Sequence, residues 1–497
     1  MRVSPPRLLA LLAGLLICAV AIWRLEDARA GLTITPLAVG STPATVYRRT
    51  DGGKAPAVII AHGFAGSRQL MEAYALTLAR AGYVAVSFDF EGHGRNPTPM
   101  RGDVTRIDGT TQYLKREIGR VTDAALALPS VDGRVALLGH SMASDIIVRR
   151  ALEDPRVAAT VAVSIFSEAV TQTEPRNLLM IDGAWEPRLR ADALQNARLA
   201  DPAAREGETI GDPARGDGRR TVVAPDVEHV GVLYSPTALA EARSWLDAVF
   251  HRESAGPVAA TGGWIALLLA GVVLLSWPLA ALLPGGERPF PTLRRKTFLL
   301  ATLIPAAVTP LALARVDTHF LPVLVADYLA VHLLLYGALA LGILALSGVR
   351  IGRVAWLGAL ALAVYGVVVF GGAMDRYVAS FMPTLARLPI IAAIAVGAVP
   401  YMLSDSLVTD NGRASWLRVL VARGAFLASL AAAVALDFQR LFFLILIIPL
   451  IVLFFVVFGL MGGFVGRRTM SPGAVGIGLG VILAWTLGVA FPMFSAG

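Results

Sequence analysis

The sequence predicts a chain of two unlike halves: an α/β half with a mostly parallel sheet and helices on both faces, then an all-α transmembrane bundle. Between Arg24 and Ser254, charged residues and turn-formers are frequent, and short β-branched runs alternate with helical patterns. From Trp264 onward, long apolar runs are separated by short polar loops. The chain has 497 residues and is 56% hydrophobic. That is too apolar for a wholly soluble protein and too charged in the first half for a pure membrane bundle.

These composition shifts predict the domain organisation. A signal anchor or signal peptide is expected over residues 1–30, the α/β domain over 31–252, a linker over 253–263, and a membrane domain of about eight helices over 264–497. The boundary is set by the stretch HRESAGPVAATGG, which has the composition of a linker.

The first apolar run has two interpretations. Arg2 and Arg7 precede the run Leu8–Trp23, which is short for a spanning helix and long enough for a signal-peptide core. Ala28-Arg29-Ala30 offers an A-x-A cleavage site, although charged residues separate it from the apolar core. The segment is therefore either a signal anchor or a cleaved signal.

Eight further apolar runs are each long enough to cross about 30 Å of hydrocarbon. They lie near 264–283, 297–314, 321–346, 354–374, 388–408, 419–436, 441–465 and 473–494.

The loops between these runs alternate in charge. One set contains Arg288, Arg294, Arg295, Lys296, Arg350, Arg353, Arg413, Arg418, Arg467 and Arg468, and the other contains Arg315, Arg376, Arg387 and Arg440. By the positive-inside rule the first set is cytoplasmic. The α/β half and the C-terminus are then expected outside the cytoplasm of an integral membrane protein.

The net charge of +8 has the same explanation. There is no basic stripe with interleaved aromatic residues, so no nucleic-acid partner is expected, and membrane topology accounts for the arginines. The partners expected are a lipid bilayer and a small-molecule or lipid ester; the sequence names no protein partner. The single cysteine, Cys18, can form no internal disulfide.

The α/β half carries its chemistry at the ends of predicted strands. The first elements are a strand at 57–63, a helix near 68–81, a strand at 83–90, a helix near 111–128 and a strand at 134–141. Gly139-His140-Ser141-Met142-Ala143 stands between the last strand and a helix. A sharp turn there would expose Ser141 at the strand end, with small residues two before and two after it. Ala143 replaces the usual second glycine, a difference of one methyl group.

Three motifs in order, each at a strand end, carry a family resemblance. They are His62-Gly63-Phe64, Asp89-Phe90-Glu91-Gly92-His93-Gly94, and Gly139 to Ala143. With them the first half resembles the α/β-hydrolase superfamily, in particular its esterase, monoacylglycerol-lipase and serine-aminopeptidase branches.

The resemblance implies a serine nucleophile, a carboxylic acid and a histidine base, in that order along the chain. Ser141 would be the nucleophile. Of the histidines after it in this half, His229 follows a strand-like run at 221–227 and precedes a helix near 236–250, whereas His251 ends that helix. His229 is therefore the expected base.

The acid has one preferred candidate and two alternatives. Glu186 stands three residues after Gly183 at a predicted strand end, as the acid of the family does. Asp182 lies still within that strand, and Glu168 is expected to end the preceding strand. Backbone N–H groups of Phe64 and Met142 are expected to form the oxyanion hole.

Other features of this half have structural interpretations. His62, His93 and His140 are expected to be hydrogen-bonded loop residues. No metal-ligand spacing appears, so no metal or other cofactor is expected. The short connection from Glu168 to Asn177 predicts little or no cap over the site, which leaves the pocket open or covered by other parts of the chain.

In the membrane half, helix packing accounts for Gly459-x-x-x-Gly463 and Gly476-x-x-x-Gly480. Ionisable residues within the predicted spans are Asp327, His332 and Asp405, and Tyr328 and Tyr336 share a helical face with His332. A transport or relay role is the functional interpretation of these residues, and a position near the membrane interface is the alternative for the two acids.

The function expected is a membrane-anchored, extracytoplasmic serine hydrolase of the esterase or lipase type, with an acyl-enzyme on Ser141. The alternatives are a serine peptidase or amidase, an envelope acyltransferase, and a transporter-like membrane protein with a hydrolase-like binding domain.

Overall fold

The computed structural model describes residues 4–104, 106–286 and 293–495. Arg2 and Arg288, which entered the signal and topology arguments, lie outside the described residues. The chain forms two compact units. The α/β unit comprises Ala21–Ala266, Met374–Ser380 and the segment from Pro492 onward; the helical unit comprises the segment up to Val20, Leu267–Ala373 and Phe381–Phe491.

The α/β unit is built on one sheet. Its strands are β1 (Leu32–Val39), β2 (Thr42–Arg49), β3 (Ala55–Ala61), β4 (Val84–Phe88), β5 (Val131–His140), β6 (Val157–Val163), β7 (Leu178–Gly183), β8 (Thr209–Ile210) and β9 (Arg219–Ala224). Their order across the sheet is β1-β2-β4-β3-β5-β6-β7-β9-β8. Neighbours from β4 to β9 run parallel, and β1, β2 and β8 join antiparallel. The mostly parallel sheet predicted from the sequence is confirmed.

Helices cover both faces of this sheet, as predicted. They are α2 (Glu72–Arg80), α3 (Thr110–Leu126), α4 (Met142–Glu153), α5 (Pro187–Arg198) and α6 (Pro236–Phe250), after α1 (Pro5–Asp27) at the N-terminus. Alternate side chains of a strand point to opposite faces. Leu179 and Ile181 of β7 accordingly pack in a core with α2 and α6, whereas Leu178 and Met180 pack with α4 and α5. Since parallel strands end at a common edge, the loops after β3, β5, β6, β7 and β9 meet there.

Arg29, two residues after the end of α1, forms a buried ion pair within the α/β unit. The Arg29 guanidinium donates to the carboxylate of Glu72 on α2, and the two side chains are only 10% and 11% exposed. The Tyr47 hydroxyl also donates to Glu72, at 3.2 Å. Burial raises the pKa of the Glu72 carboxyl, and Arg29 opposes that rise. Cleavage after Ala30 would leave Glu72 buried without its cation, so we expect residues 1–30 to be retained as an anchor.

Arg29→Ala should lower the free energy of unfolding of the α/β unit by about 3 kcal/mol, because it leaves a buried carboxylate unpaired. Thermal unfolding of the full-length protein in detergent measures this. Arg49→Ala is the matched control, because Arg49 pairs with Asp51 at the surface and its loss should not shift the unfolding midpoint. The intact mass of wild-type protein purified from membranes should include Arg29; a chain beginning at Gly31 would contradict the retained anchor.

The remaining helices lie wholly or in part in the helical unit. They are α7 (Gly262–Ala280), α8 (Arg295–Leu313), α9 (Ala326–Leu346), α10 (Trp356–Val364), α11 (Gly371–Tyr377), α12 (Leu388–Val408), α13 (Trp416–Leu436), α14 (Phe438–Leu441), α15 (Leu444–Thr469) and α16 (Pro472–Ala490), with a π-helical turn at Tyr365–Phe370 joining α10 to α11. Within the described part of the chain, nine helical segments are long and apolar enough to cross a membrane, counting α1 and Trp356–Tyr377 as one each. The predicted series of apolar helices is confirmed.

Glycines in α16 allow it to pack closely against α12, as the sequence predicted. A Cβ atom on Gly476 would lie 2.5 Å from the Leu403 Cα, and one on Gly480 would lie 2.7 Å from the Val399 Cα. Gly459 in α15 has a different role. A Cβ on Gly459 would meet the Arg423 guanidinium at 2.6 Å, so this glycine makes room for an arginine side chain instead of a helix backbone.

The polar residues of the helical unit have specific partners. Asp405 forms an ion pair at 3.1 Å with Arg423 of α13. The sequence analysis did not consider Arg423. A ring nitrogen of His332 lies 3.0 Å from the Ser429 Oγ. Asp327 accepts hydrogen bonds from the backbone N–H groups of Tyr328 and Phe320 at the start of α9, which is an end-of-span position. Each of the three residues thus has a polar partner within the helical unit.

Candidate active site

Ser141 occupies the turn between β5 and α4, in the strained conformation that the sequence motif predicts. Its φ is +54° and its ψ is −119°. A Cβ on Gly139 would lie 2.8 Å from the Ala143 carbonyl oxygen, so only glycine fits two residues before the serine. The Ala143 methyl group is fully buried, so the turn accommodates this departure from the usual glycine.

Ser141, His229 and Glu186 form one hydrogen-bonded chain. The Ser141 Oγ lies 2.8 Å from the His229 Nε2, and the His229 Nδ1 lies 2.5 Å from the Glu186 Oε1. His229 stands after β9 and Glu186 just after β7, so the crossover connections bring three distant residues to one edge of the sheet. This geometry gives a serine hydroxyl a base and gives the base an anionic partner.

The second Glu186 oxygen is fixed by the surrounding backbone and by a residue that the sequence analysis missed. Glu186 Oε2 accepts from the Gly183 N–H at 2.6 Å and from the Ser164 Oγ at 2.9 Å. Ser164 directly follows β6 and has a φ of +52°. The sequence feature that could have identified Ser164 is its position as a polar residue at the end of a parallel strand.

The two alternative acids do not contact His229. Asp182 lies within β7, as expected, is fully buried, and accepts from the Ile165 N–H at 3.0 Å. The placement of Glu168 was wrong. β6 ends at Val163 because the chain turns at Ser164, so Glu168 lies further along the connection, exposed to solvent.

The loop after β3 approaches the serine closely. A Cβ on Gly63 would lie 3.0 Å from the Ser141 Cβ. Phe64 follows Gly63, and Met142 is the first residue of α4, where a backbone N–H has no partner within the helix. These are the two residues expected to supply oxyanion contacts: Met142 directly follows Ser141, and Phe64 directly follows the glycine that approaches it.

A comparison with protein-family models matches residues 53–207 to the family described as Serine aminopeptidase, S33. The α/β unit has the α/β-hydrolase fold. The matched region contains Ser141 and Glu186 but ends before His229, so the placement of His229 beside Ser141 depends on the structure alone.

Several solved structures are similar to part of the chain. A predicted CIB-like hydrolase from Thermoplasma acidophilum is 14% identical, with 43% of this chain and 97% of that chain covered and a TM-score of 0.34. A membrane phospholipase A, described as a bacterial virulence factor, is 14% identical, with 48% and 93% covered and a TM-score of 0.32. An epoxide hydrolase from Vigna radiata is 24% identical, with 27% and 41% covered and a TM-score of 0.22. No curated protein sequence matches the chain.

Electrostatics distinguish the carboxyl groups of the hydrolase. Burial alone would raise the pKa of Glu186, but hydrogen bonds from His229, the Gly183 N–H and Ser164 outweigh it, so the pKa lies below its ordinary value. Burial and the neighbouring Glu186 charge raise the pKa of Asp182 to about 8. At neutral pH Glu186 is therefore the anion beside His229, and Asp182 is mostly protonated.

The other histidines of the hydrolase have structural contacts. The Phe90 N–H donates to the His62 Nε2 at 3.1 Å, and the His93 Nδ1 lies 2.9 Å from the Glu91 carbonyl oxygen. The His140 Nε2 lies 2.8 Å from the His229 carbonyl oxygen, and burial lowers the pKa of His140 to about 3. His140 is thus a neutral ring that holds the backbone of His229. His251 ends α6 in a left-handed conformation.

The connection above the site has no regular structure. Residues 164–177, between β6 and β7, contain no helix and no strand. The expected absence of a cap at this position thus agrees with the local structure, although the connection is longer than the span counted from Glu168.

Two segments from far along the chain complete the loops at this edge of the hydrolase. Asp375 pairs with Arg95 at 2.5 Å, and the Ser380 N–H donates to the Ser67 Oγ at 3.0 Å. In the last segment, the Met100 N–H donates to the Met493 carbonyl oxygen at 2.9 Å, and the Met493 N–H donates to the Gly92 carbonyl oxygen at 2.8 Å. Ser67 lies in the loop after β3, which also carries Phe64.

The described residues contain no cluster of three or more His, Cys, Asp or Glu side chains that could hold a metal ion.

Proposed function

We propose that the chain is a membrane-anchored, extracytoplasmic serine hydrolase that cleaves carboxylic esters, lipid esters included, through an acyl-enzyme on Ser141. The observation that carries this proposal is the hydrogen-bonded chain from the Ser141 Oγ through His229 to Glu186, with both bonds at 2.8 Å or less. The strained φ of Ser141 supports it, because the turn exposes the hydroxyl at the open edge of the sheet.

Acylation proceeds through proton transfer within this chain. The His229 Nε2 takes the hydroxyl proton while the Ser141 Oγ attacks the ester carbonyl carbon. The negative charge that forms on the carbonyl oxygen is stabilised by the N–H groups of Phe64 and Met142. Glu186 stabilises the charged imidazole. Collapse of the intermediate breaks the bond to the alcohol, which leaves with the proton from His229.

Deacylation repeats these steps with water. The His229 Nε2 takes a proton from a water molecule, whose oxygen attacks the carbonyl carbon of the acyl-enzyme. The bond to the Ser141 Oγ then breaks, and the serine recovers its proton from His229. The products are one carboxylic acid and a regenerated hydroxyl.

A matched pair of substrates tests the reaction class. Full-length protein in lipid nanodiscs is given 4-nitrophenyl butyrate and butyryl 4-nitroanilide, which share an acyl group and differ in the bond cleaved. We expect turnover of the ester with a kcat/KM well above that of the anilide, and butyric acid as the product.

Three results would favour the alternatives. Faster cleavage of leucine 4-nitroanilide than of the ester would indicate a peptidase. Formation of glyceryl butyrate in the presence of glycerol, in preference to butyric acid, would indicate an acyltransferase. No turnover and no covalent acyl-enzyme with any substrate would leave a hydrolase-like binding domain.

The division of the chain supports the extracytoplasmic orientation. Three separate parts of the α/β unit border spans: the linker after α6, Met374–Ser380 and the segment from Pro492 onward. In the arginine alternation of the sequence all three fall on the arginine-poor side, which the positive-inside rule assigns to the exterior. A single orientation thus satisfies these three chain crossings.

A reporter enzyme that is active only outside the cytoplasm tests this orientation. Fusion after Ser495 should give an active reporter, and fusion after Thr469, beside Arg467 and Arg468, should give an inactive one. The two fusions differ only in the presence of α16 and the segment after it. The reverse pattern would place the α/β unit in the cytoplasm.

A further inference from the structure

Three large apolar side chains are exposed on the loops at the carboxyl edge of the sheet. Phe166 follows β6 and is 46% exposed, Trp185 follows β7 and is 63% exposed, and Val230 follows β9 and is 45% exposed. Single exposed apolar residues are common on protein surfaces, but three on loops that follow the adjacent strands β6, β7 and β9 indicate binding. We call these three residues the apolar rim.

Each residue of the apolar rim is tied to the Ser141 site. The Phe166 N–H donates to the Ser144 Oγ at 3.3 Å, and Ser144 lies one helical turn after Ser141. Trp185 directly precedes Glu186, and Val230 directly follows His229. The loops that carry the last two are joined, because the Trp185 N–H donates to the carbonyl oxygen of Val227, three residues before Val230, at 3.1 Å. The loops that position the acid and the base therefore also present the apolar side chains.

The connection over this edge leaves the rim open to a ligand. Residues 164–177 contain no helix that could cover Phe166. A bound apolar chain would remove the three side chains from water, with about 0.8 kcal/mol gained for each methylene buried. A short acyl group would gain little from the same surface.

The chain itself indicates where such a ligand comes from. α6 ends at Phe250 and the candidate span α7 begins at Gly262, so the connecting residues can extend at most about 40 Å. Tryptophan is also favoured at membrane–water interfaces, where an apolar ring with one polar N–H is well accommodated. We infer that Phe166, Trp185 and Val230 bind the acyl chain of a long-chain fatty ester presented by a lipid bilayer. This inference rests on the proposed function and specifies its substrate class.

The experiment compares two esters with the same leaving group. Full-length wild-type protein and the variants Trp185→Asp and Phe166→Asp are reconstituted in phosphatidylcholine vesicles. They are assayed on 4-methylumbelliferyl oleate dissolved in the vesicles and on soluble 4-methylumbelliferyl butyrate. The quantity compared is the ratio of kcat/KM for oleate to that for butyrate. Active protein is counted by fluorophosphonate labelling, which removes differences in folding.

Each Asp variant should lower this ratio by about tenfold or more. Loss of contact with one methylene group corresponds to a decrease of about fourfold, and the decreases for two such groups multiply. Trp185→Phe should keep most of the ratio. Leu152→Asp is the matched control: Leu152 is 41% exposed at the far end of α4, about 16 Å along the helix from Ser141, and should leave the ratio unchanged.

The outcomes separate this inference from the proposed function. An unchanged ratio in both Asp variants overturns the apolar rim. If the oleate-to-butyrate ratio of kcat/KM is the same in every variant whether the oleate ester is in vesicles or in detergent micelles, the bilayer is not the source of the ligand. Wild-type protein that hydrolyses neither ester overturns the proposed function itself.

Discussion

Ser141→Ala should abolish both ester hydrolysis and labelling by a fluorophosphonate probe. The Ser141 Oγ is the hydroxyl that His229 contacts at 2.8 Å, so it is the group positioned to form the acyl-enzyme. Loss of the nucleophile of a serine hydrolase lowers kcat on the order of a millionfold, because proton transfer and covalent bond formation are lost together. Gel fluorescence of the labelled protein and release of 4-nitrophenol measure the two effects.

A second serine on the same strand provides the control. Ser130 lies just before β5, at the opposite end of the strand from Ser141. Ser130→Ala should keep full labelling and turnover. Labelling that persists in the Ser141→Ala variant would contradict the assignment of the nucleophile.

Glu186→Gln should lower kcat by about a thousandfold to ten-thousandfold. The amide keeps the size of the side chain but loses the charge that stabilises the imidazolium, and its NH₂ group can face His229 and favour the wrong tautomer. The measurement is the rate of ester turnover divided by the amount of protein that the fluorophosphonate probe labels. The loss should be smaller than that for Ser141→Ala, because serine and histidine both remain.

Asp182→Asn and Glu168→Gln are matched controls for this variant. The amide that replaces the Asp182 carboxyl keeps an oxygen for the Ile165 N–H, and the raised pKa of Asp182, at about 8, already makes this carboxyl mostly neutral at neutral pH. Glu168 is exposed. Both variants should retain turnover close to that of the wild type. A loss with either one as large as that with Glu186→Gln would mean that the wrong acid was chosen.

The residues of the candidate site could be predicted because each follows a strand that the sequence marks clearly. Short apolar, β-branched runs precede Ser141, Glu186 and His229. In a parallel sheet the strands end at one common edge, so residues that follow different strands can meet there although they are far apart in the sequence. Glu168 was misplaced because the end of β6 depends on the left-handed turn at Ser164, which no residue preference reveals. The bond from Ser164 to Glu186 was equally hidden, since a serine after a strand usually bonds to local backbone.

In the helical unit, length and hydropathy predicted the apolar helices but not the pairs between them. Asp405 was recognised as an ionisable residue within a span, whereas its partner Arg423 belongs to another helix and was overlooked. The close approach of Gly476 and Gly480 to α12 follows a known spacing and was predicted. Pairing of side chains across helices depends on the tertiary fold, which helical periodicity does not encode.

The hydrolase can finish folding only after two late segments of the chain have made their contacts. They are Met374–Ser380 and the segment from Pro492 onward. Most of its chain, Ala21–Ala266, leaves the ribosome first, but the partners of Ser67, Arg95 and Met100 are made only after further spans have been synthesised. At about 5–20 residues per second, the interval before Met493 appears is on the order of tens of seconds. During that time the loops beside Ser141 are incomplete. Completion of the contacts of these loops is therefore coupled to synthesis of α16, so a nascent chain that stalls before α16 lacks the contacts from the segment that begins at Pro492.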